Sequence, residues 1–340
     1  MTKRYRITYV GSFPPPYGGV TVKNALLYKH LSARLEIEKL DLTRVKRLEP
    51  RAVLHLLRSV LSRNGALVLG VSASWRYRLT SILYRLNRKK MRRSLLVVMG
   101  GKTPENAAYV DRMNGYRRVY VETESMKCSF EAMGAYNVAI YPNCRERPAV
   151  PVEIKRWGGG RMSSVFFSLV SPDKGARIVL EAAKALPQMD FHFYGRIEKE
   201  YEGEFASAVA GGPNVCYHGV FDSAAGDVIG ELGKYDLHLF PTLCPNEGVP
   251  GVIVETKMAG VPTVASDRSY NGELVRDGVD GILTHEDTAE ELVGTLSGLA
   301  ADPARVYRMK KAALESSARY EIERYLDWIV GELAACQGGK

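Results

Sequence analysis

Short apolar runs recur along the whole chain, and most stop at a glycine or proline before a helical stretch begins. Tyr5–Val10 stops at Gly11, Leu95–Met99 at Gly100-Gly101, and Val138–Tyr141 at Pro142-Asn143. Leu67–Val71 and Val119–Glu122 are further strand candidates, with helices expected over Val20–Leu31, Trp75–Arg93 and Ser125–Met133. Arg145–Gly160, rich in proline and glycine, reads as a linker. Beyond it the alternation restarts. Strands are expected at Ser164–Val170, Asp190–Tyr194, Val215–His218, Leu237–Phe240 and Thr263–Ala265. Helices fit Lys174–Leu186, Val252–Ala259, Ala289–Ala300, Pro303–Ala318 and Ile322–Ala335. Strands separated by helices pair in parallel, because a parallel neighbour needs a long crossover. The expectation is therefore α/β: two doubly wound, Rossmann-like domains over residues 1–150 and 151–320, followed by a helix over 321–340. Two such sheets facing across a cleft bind ligands beyond the carboxyl ends of their strands, so the chemistry is expected in the loops that follow strands.

A chain of 340 residues has room for two such domains. Charged residues make up 25% of it and hydrophobic ones 46%, which excludes a disordered chain. No apolar run reaches the ~20 residues of a membrane span. The basic start, Met1–Arg6, runs into Pro14-Pro15-Pro16 and does not read as a secretory signal. The five cysteines, Cys128, Cys144, Cys216, Cys244 and Cys336, are scattered and read as free thiols of a reducing compartment, so a cytoplasmic protein is expected. His30, His55, His192, His218, His238 and His285 show no ligand spacing, and no metal site is expected.

The densest loop is Pro241–Glu255, PTLCPNEGVPGVIVE, after an apolar strand. Glu247 and Glu255 lie eight residues apart, but Gly248, Pro250 and Gly251 argue against one continuous helix. Glu247 is expected in the loop and Glu255 in the first turns of the next helix. Backbone N–H groups at that helix start make an anion site, and a carboxylate beside it can accept hydrogen bonds from sugar hydroxyls. Phosphate together with polyol is what a nucleotide sugar presents. The plainer reading, two solvated acids, is about as well supported by spacing alone.

Phe240-Pro241-Thr242, Glu247-Gly248, Pro250-Gly251-Val252, Glu255, Ala259-Gly260, Pro262 and Ser266 resemble the E-x7-E region of retaining glycosyltransferases of the GT-B fold. The nearest likeness is to the family-four set (glycosyl transferases group 1) that builds bacterial surface glycans. Glu273, Gly278, Gly281 and Leu283 continue it. Ser171-Pro172-Asp173-Lys174-Gly175 is similar to the family's lysine-glycine motif, Tyr194-Gly195, His218-Gly219 and Tyr235-Asp236 fall at matching places, and Gly18-Gly19 and Pro142-Asn143 resemble its N-terminal glycine loop and interdomain turn. The resemblance covers most of residues 5–285 and is strongest over 165–285.

The resemblance implies roles. Glu255 would hold the donor ribose and Glu247 the hydroxyls of the transferred sugar. Gly248, Val249 and Gly251 would offer backbone N–H groups to the sugar and diphosphate; Pro250 has none to offer. Lys174 would neutralise the diphosphate as it leaves. Gly19, Gly195 and Arg196 complete the implied donor-binding set. The donor is a substrate, so no cofactor is implied, and the last helix would cross back to the first domain. Two positions depart from the pattern: Leu169 stands where the family usually carries an arginine, and Met99 where it often carries a histidine. Arg196 or Arg177 is a substitute for the missing charge.

Charge is split between the halves. Residues 1–150 hold 28 Lys and Arg against 10 acids, and residues 151–340 hold 19 against 28. The first half is expected to face something anionic. Segment 76–93, RYRLTSILYRLNRKKMRR, has no acid, and Leu79, Ile82, Leu83 and Leu86 form a stripe at helical spacing, suited to packing on the sheet or to an anionic membrane surface. Gly100-Gly101-Lys102-Thr103 is not a Walker loop, because Leu96 stands where its first glycine belongs. No recognition motif accompanies the basic charge, so no nucleic acid partner is expected.

The expectation that gathers these readings is a metal-independent glycosyltransferase of bacterial polysaccharide or glycolipid synthesis. It takes a nucleotide-diphosphate sugar and a glycan or lipid-linked acceptor, and is cytoplasmic or peripheral at the inner face of the plasma membrane. A nucleotide-sugar epimerase or hydrolase of the same fold is the alternative enzyme. A non-catalytic, anion-binding partner in a glycan-assembly complex is the alternative of another class.

Overall fold

A computed structural model describes residues 6–100, 106–157, 160–222, 226–245 and 247–338. Gly101-Lys102-Thr103, the start Met1–Tyr5, Gly158-Gly159 of the expected linker and the side chain of Cys336 lie outside the described residues. The chain divides into two compact units. One comprises the residues up to Glu146 together with those from Tyr320 onward, the other Arg147–Arg319.

The first unit carries β1 (Ile7–Gly11), β2 (Ile37–Asp41), β3 (Ala66–Val71), β4 (Leu95–Val98), β5 (Arg118–Val121) and β6 (Val138–Ile140). All pair in parallel, in the order β2-β1-β3-β4-β5-β6. β1, β3 and β4 are buried along their whole length, as strands covered on both faces must be. The helix Gly19–Ser32 is fastened to this sheet by Asn24. Its amide donates to the carbonyls of Ser12 and Gly70, both at 3.0 Å, and its Oδ1 accepts from Tyr9 Oη at 2.9 Å. Gly70 leaves the room for it, since a Cβ there would lie 1.9 Å from Asn24 Oδ1.

The helix expected over Trp75–Arg93 is two helices, Ala73–Leu86 and Arg88–Met91, broken at Asn87. Asn87 leaves the helical conformation at φ −150° and caps the second helix, its Oδ1 accepting from Lys90 N at 3.2 Å. Its amide donates to the carbonyls of Val60 and Ser62, both at 2.9 Å, tying the break to the end of another helix, Pro50–Leu61. The apolar stripe therefore splits: Leu79 and Leu83 are buried, and Ile82 and Leu86 are exposed.

The final helix, Glu323–Gly338, lies in the first unit. Ile322, Leu326, Ile329 and Leu333 recur at helical spacing and are buried with Ile7, Tyr9, Leu27 and Tyr120 or their neighbours in one apolar cluster. Glu332 accepts from Arg117 at 2.5 Å and Arg118 at 2.9 Å, and Trp328 meets Tyr120 edge-on.

The second unit carries β7 (Met162–Phe167), β8 (Met189–Tyr194), β9 (Val215–Tyr217), β10 (Leu237–Phe240), β11 (Thr263–Ser266) and β12 (Gly281–Thr284). Again every pair is parallel, in the order β12-β11-β10-β7-β8-β9. Counted within the unit this is the dinucleotide-fold order, and it reverses direction between β7 and β10. The helix expected over Lys174–Leu186 is a 3-10 turn, Pro172–Lys174, and a helix, Ala176–Ala185, separated by Gly175 at φ 82°. The helix Gly251–Met258 is held by Lys257, whose ammonium meets Asp280 at 2.7 Å and Ser316 Oγ at 3.0 Å, fully buried. Burial alone would raise the Asp280 carboxyl, but the Lys257 and Arg276 donors hold its pKa below the ordinary aspartate value.

Candidate functional site

The crevice of an open parallel sheet forms where the strand order reverses, at the carboxyl ends of the two strands concerned. In the second unit those ends belong to β7 and β10, and they carry the two motifs singled out above. Ser171 starts the loop after β7 by capping the 3-10 turn, its Oγ accepting from Lys174 N at 3.3 Å. The loop after β10 is laid against it: Leu243 N donates to Asp173 O at 2.8 Å. Gly175 permits this approach, because a Cβ there would stand 1.9 Å from the Pro241 carbonyl oxygen.

Lys174 and Glu247 are brought together as an ion pair, Nζ to Oε2, across 73 residues of sequence. Thr242 Oγ1 donates to the same Oε2 at 3.0 Å, and Ser266 Oγ holds the Thr242 carbonyl at 2.7 Å. The pair is only partly screened by solvent, with side chains 19% and 13% exposed. A cation and a carboxylate in such a setting are strongly coupled, and a group that separates them must supply comparable interactions.

Gly248, Val249 and Pro250 lead into the helix Gly251–Met258, with Pro250 as its N-cap and no side-chain cap. The first-turn N–H groups of that helix are thereby free of an intrahelical acceptor. Glu255 is the fifth residue of the helix and half-buried. Asn246, within the same loop, lies outside the described residues. Gly195 follows β8 at φ 137°, where a Cβ would stand 1.7 Å from the Ser168 carbonyl oxygen. Its N–H donates to Gly219 O at 2.8 Å, and the Arg196 carbonyl accepts from Val170 N at 2.9 Å. The loops after β7, β8 and β9 are thus knitted together by backbone. Arg196 is exposed. Arg177 is engaged by a two-pronged pair with Glu204, at 2.8 and 2.7 Å.

In the first unit Gly18 is the N-cap and Gly19 the first residue of its helix. A Cβ at either would meet nothing within 4 Å, and Gly18 is extended at φ −179°, so sterics impose glycine at neither. Met99 is buried in the core beyond β4.

Two groups of residues escaped a reading by spacing. His192, Cys216 and His218 place their ligating atoms within 4.8 Å of one another, a grouping that no spacing along the sequence reveals. The helix Pro50–Leu61 was not expected at all. It exposes Leu54, Leu57 and Leu61 on one face, beside Arg58. Among the described residues no helix is long and apolar enough to cross a membrane.

The architecture is that of the GT-B glycosyltransferases. The chain superposes on the UDP complex of Anabaena Alr3699/HepE with a TM-score of 0.72 at 16% identity, covering 97% of this chain and 100% of that one. On the sucrose-phosphate synthase (tll1590) of Thermosynechococcus elongatus the TM-score is 0.73 at 13% identity, covering 98% of each. Residues 163–302, which lie within the second unit, match the family described as Glycosyl transferases group 1. The chain is 26% identical over 203 residues to the amylovoran biosynthesis glycosyltransferase AmsK of Erwinia amylovora. That match takes in 56% of this chain and 47% of AmsK, so the chain spans about half the length of its curated relative.

Proposed function

We propose that the chain is a glycosyltransferase that moves a sugar from a nucleotide-diphosphate donor to an acceptor hydroxyl, with retention of configuration at the anomeric carbon. The observation that carries this reading is the Lys174–Glu247 pair at the reversal point of the second sheet, within the segment that matches the family. A diphosphate entering between β7 and β10 offers Lys174 a second anionic partner and releases the Glu247 carboxylate to accept from sugar hydroxyls. Negative charge grows on the departing diphosphate as the glycosidic bond breaks. A lysine and the helix N–H groups of Gly251 onward therefore interact more strongly with the transition state than with the ground state. Glu255, on the helix pinned by Lys257, is the group for the ribose hydroxyls. The chemistry needs only charge and hydrogen bonds from these residues, and we propose no metal for it.

The Anabaena relative was crystallised with UDP, which makes UDP the first ligand to test. Calorimetric titration of UDP, GDP and ADP should show one preferred base in the wild type. Lys174→Ala and Glu255→Ala should each weaken it, the former by about 2–5 kcal/mol as a partly buried charge pair is truncated. Glu247→Gln should keep the nucleotide and lose turnover of the matching nucleotide sugar. NMR of the product would give its anomeric configuration. Unaltered binding and turnover in all three variants would remove the assignment.

The acceptor side is the basic first unit. Leu54, Leu57 and Leu61 are exposed on the helix that carries Arg58, and Leu86 on the segment that carries Arg85, Arg88 and Lys89. Apolar residues rimmed by cations complement an anionic bilayer, each cation adding about 1 kcal/mol near the surface. This favours a peripheral enzyme of polysaccharide or glycolipid synthesis with a lipid-linked acceptor.

A further inference from the structure

We propose that His192, Cys216 and His218 form a binding site for a thiophilic divalent ion, zinc above all, on the edge of the second sheet. β8 and β9 pair in parallel with His192 directly opposite Cys216. Phe191 and Phe193 turn into the apolar core, and Val215 and Tyr217 pack against the same core. His192 therefore shares the opposite face with Cys216 and with His218, two residues further on. Their ligating atoms all lie within 4.8 Å of one another, and His192 Nδ1 is 2.9 Å from His218 Nε2. Zinc bonds imidazole nitrogen at about 2.0–2.1 Å and thiolate at about 2.3 Å, so neighbouring ligands in a tetrahedral shell stand roughly 3.3–3.6 Å apart. Small side-chain rotations reach that spacing from the present one. Two imidazoles and a thiolate are a donor set that zinc accepts, with a water in the fourth position.

The surroundings hold the set in place. The His192 and His218 rings stack at 5.2 Å, and Tyr194 stacks on His218 at 4.5 Å. The nearby Glu231 carboxylate is occupied by Tyr194 Oη and Lys234, both at 2.6 Å. Cys216 and His218 are exposed, which leaves an entry path. β9 is a three-residue edge strand, and Gly219, directly after His218, accepts the N–H of Gly195. A bound ion would clamp this edge to β8 and steady the loop that holds Gly195 and Arg196, a role in stiffness rather than in bond breaking.

The test is zinc titration of untagged, reduced, full-length protein against a chromophoric chelator, with cobalt as a spectroscopic probe. One zinc per chain is expected, with a cobalt spectrum showing thiolate charge transfer and the strong visible bands of a tetrahedral ion. Cys216→Ser should abolish the charge-transfer band, and His192→Gln and His218→Gln should each lower zinc affinity by about 100-fold or more, since outer-shell changes alone cost 10–100-fold. Cys128→Ser, which removes another exposed thiol, should leave both readouts intact. Zinc should raise the unfolding temperature of the wild type and of Cys128→Ser only. Failure to bind one equivalent at micromolar zinc, or binding that survives Cys216→Ser and His192→Gln, would overturn the site. Circular dichroism of each variant separates loss of ligand from loss of fold.

Discussion

His238 lies in the middle of β10 and is fully enclosed, its Nδ1 3.1 Å from Thr263 Oγ1. Burial pushes its pKa down from 6.5 to about 3. Between those values the unfolded chain binds a proton that the folded chain refuses, so stability falls as pH drops through that window and is unaffected above it. Urea unfolding at pH 6.5 and pH 5 should show the wild type losing about 1.6 kcal/mol more than His238→Asn, because the unfolded imidazole is already half protonated at pH 6.5. Equal losses would mean that the folded protein takes up the proton. At this same scale the site was half legible. Lys174 and Glu247 were named through neighbouring residues that resemble a family, and nothing in either residue alone announced a partner 73 positions away. The His192, Cys216 and His218 set was hidden for the opposite reason. A spacing scan looks along the chain, and these ligands meet across strands, through a register that only the folded sheet supplies.

Elements were legible where their sequence obeyed one period. β1, β3 and β10 are buried, mostly apolar runs and were read to within two residues. β2 was missed because it is an edge strand with Glu38 and Lys39 in its five residues, which blurs the pattern that a covered strand shows. The helix break at Asn87 was missed because Asn is tolerated mid-helix, and its stop comes from tertiary hydrogen bonds to the Pro50–Leu61 helix. That helix, starting at a proline in its first turn, turns Leu54, Leu57 and Leu61 outward. Co-sedimentation with vesicles containing anionic lipid should therefore retain the wild type and release a Leu54→Ser, Leu57→Ser, Leu61→Ser triple variant. Arg58→Gln with Arg88→Gln should make the retention less salt-sensitive. A triple variant that sediments like the wild type would leave the leucine face without a lipid role.

At the scale of the whole molecule, the last segment of sequence completes the first unit. Ile322, Leu326, Ile329 and Leu333 fill the same cluster as β1, and each Leu or Ile removed to Ala from such a core costs about 2–5 kcal/mol. Deleting residues 321–340 should destabilise the first unit while the second keeps its own unfolding transition. Calorimetry that resolves the two transitions would show which one moves, and an unmoved first transition would contradict the packing. The charge split follows the same division, with the basic residues gathered in the unit that this helix closes.

The crossings between the units have one more consequence. Arg145 N donates to Tyr320 O, and Ile322 N to Arg145 O, at 2.9 and 3.0 Å, so the strand leaving the first unit lies beside the strand returning to it. In sequence, residues 147–319 are therefore a cassette set into a host whose two flanking ends are neighbours. A cassette with adjoining ends can be lifted out, exchanged for that of a relative, or closed into a circular permutant without stretching its host. On the function proposed above, that modularity is a physical route to pairing one acceptor unit with a different donor unit.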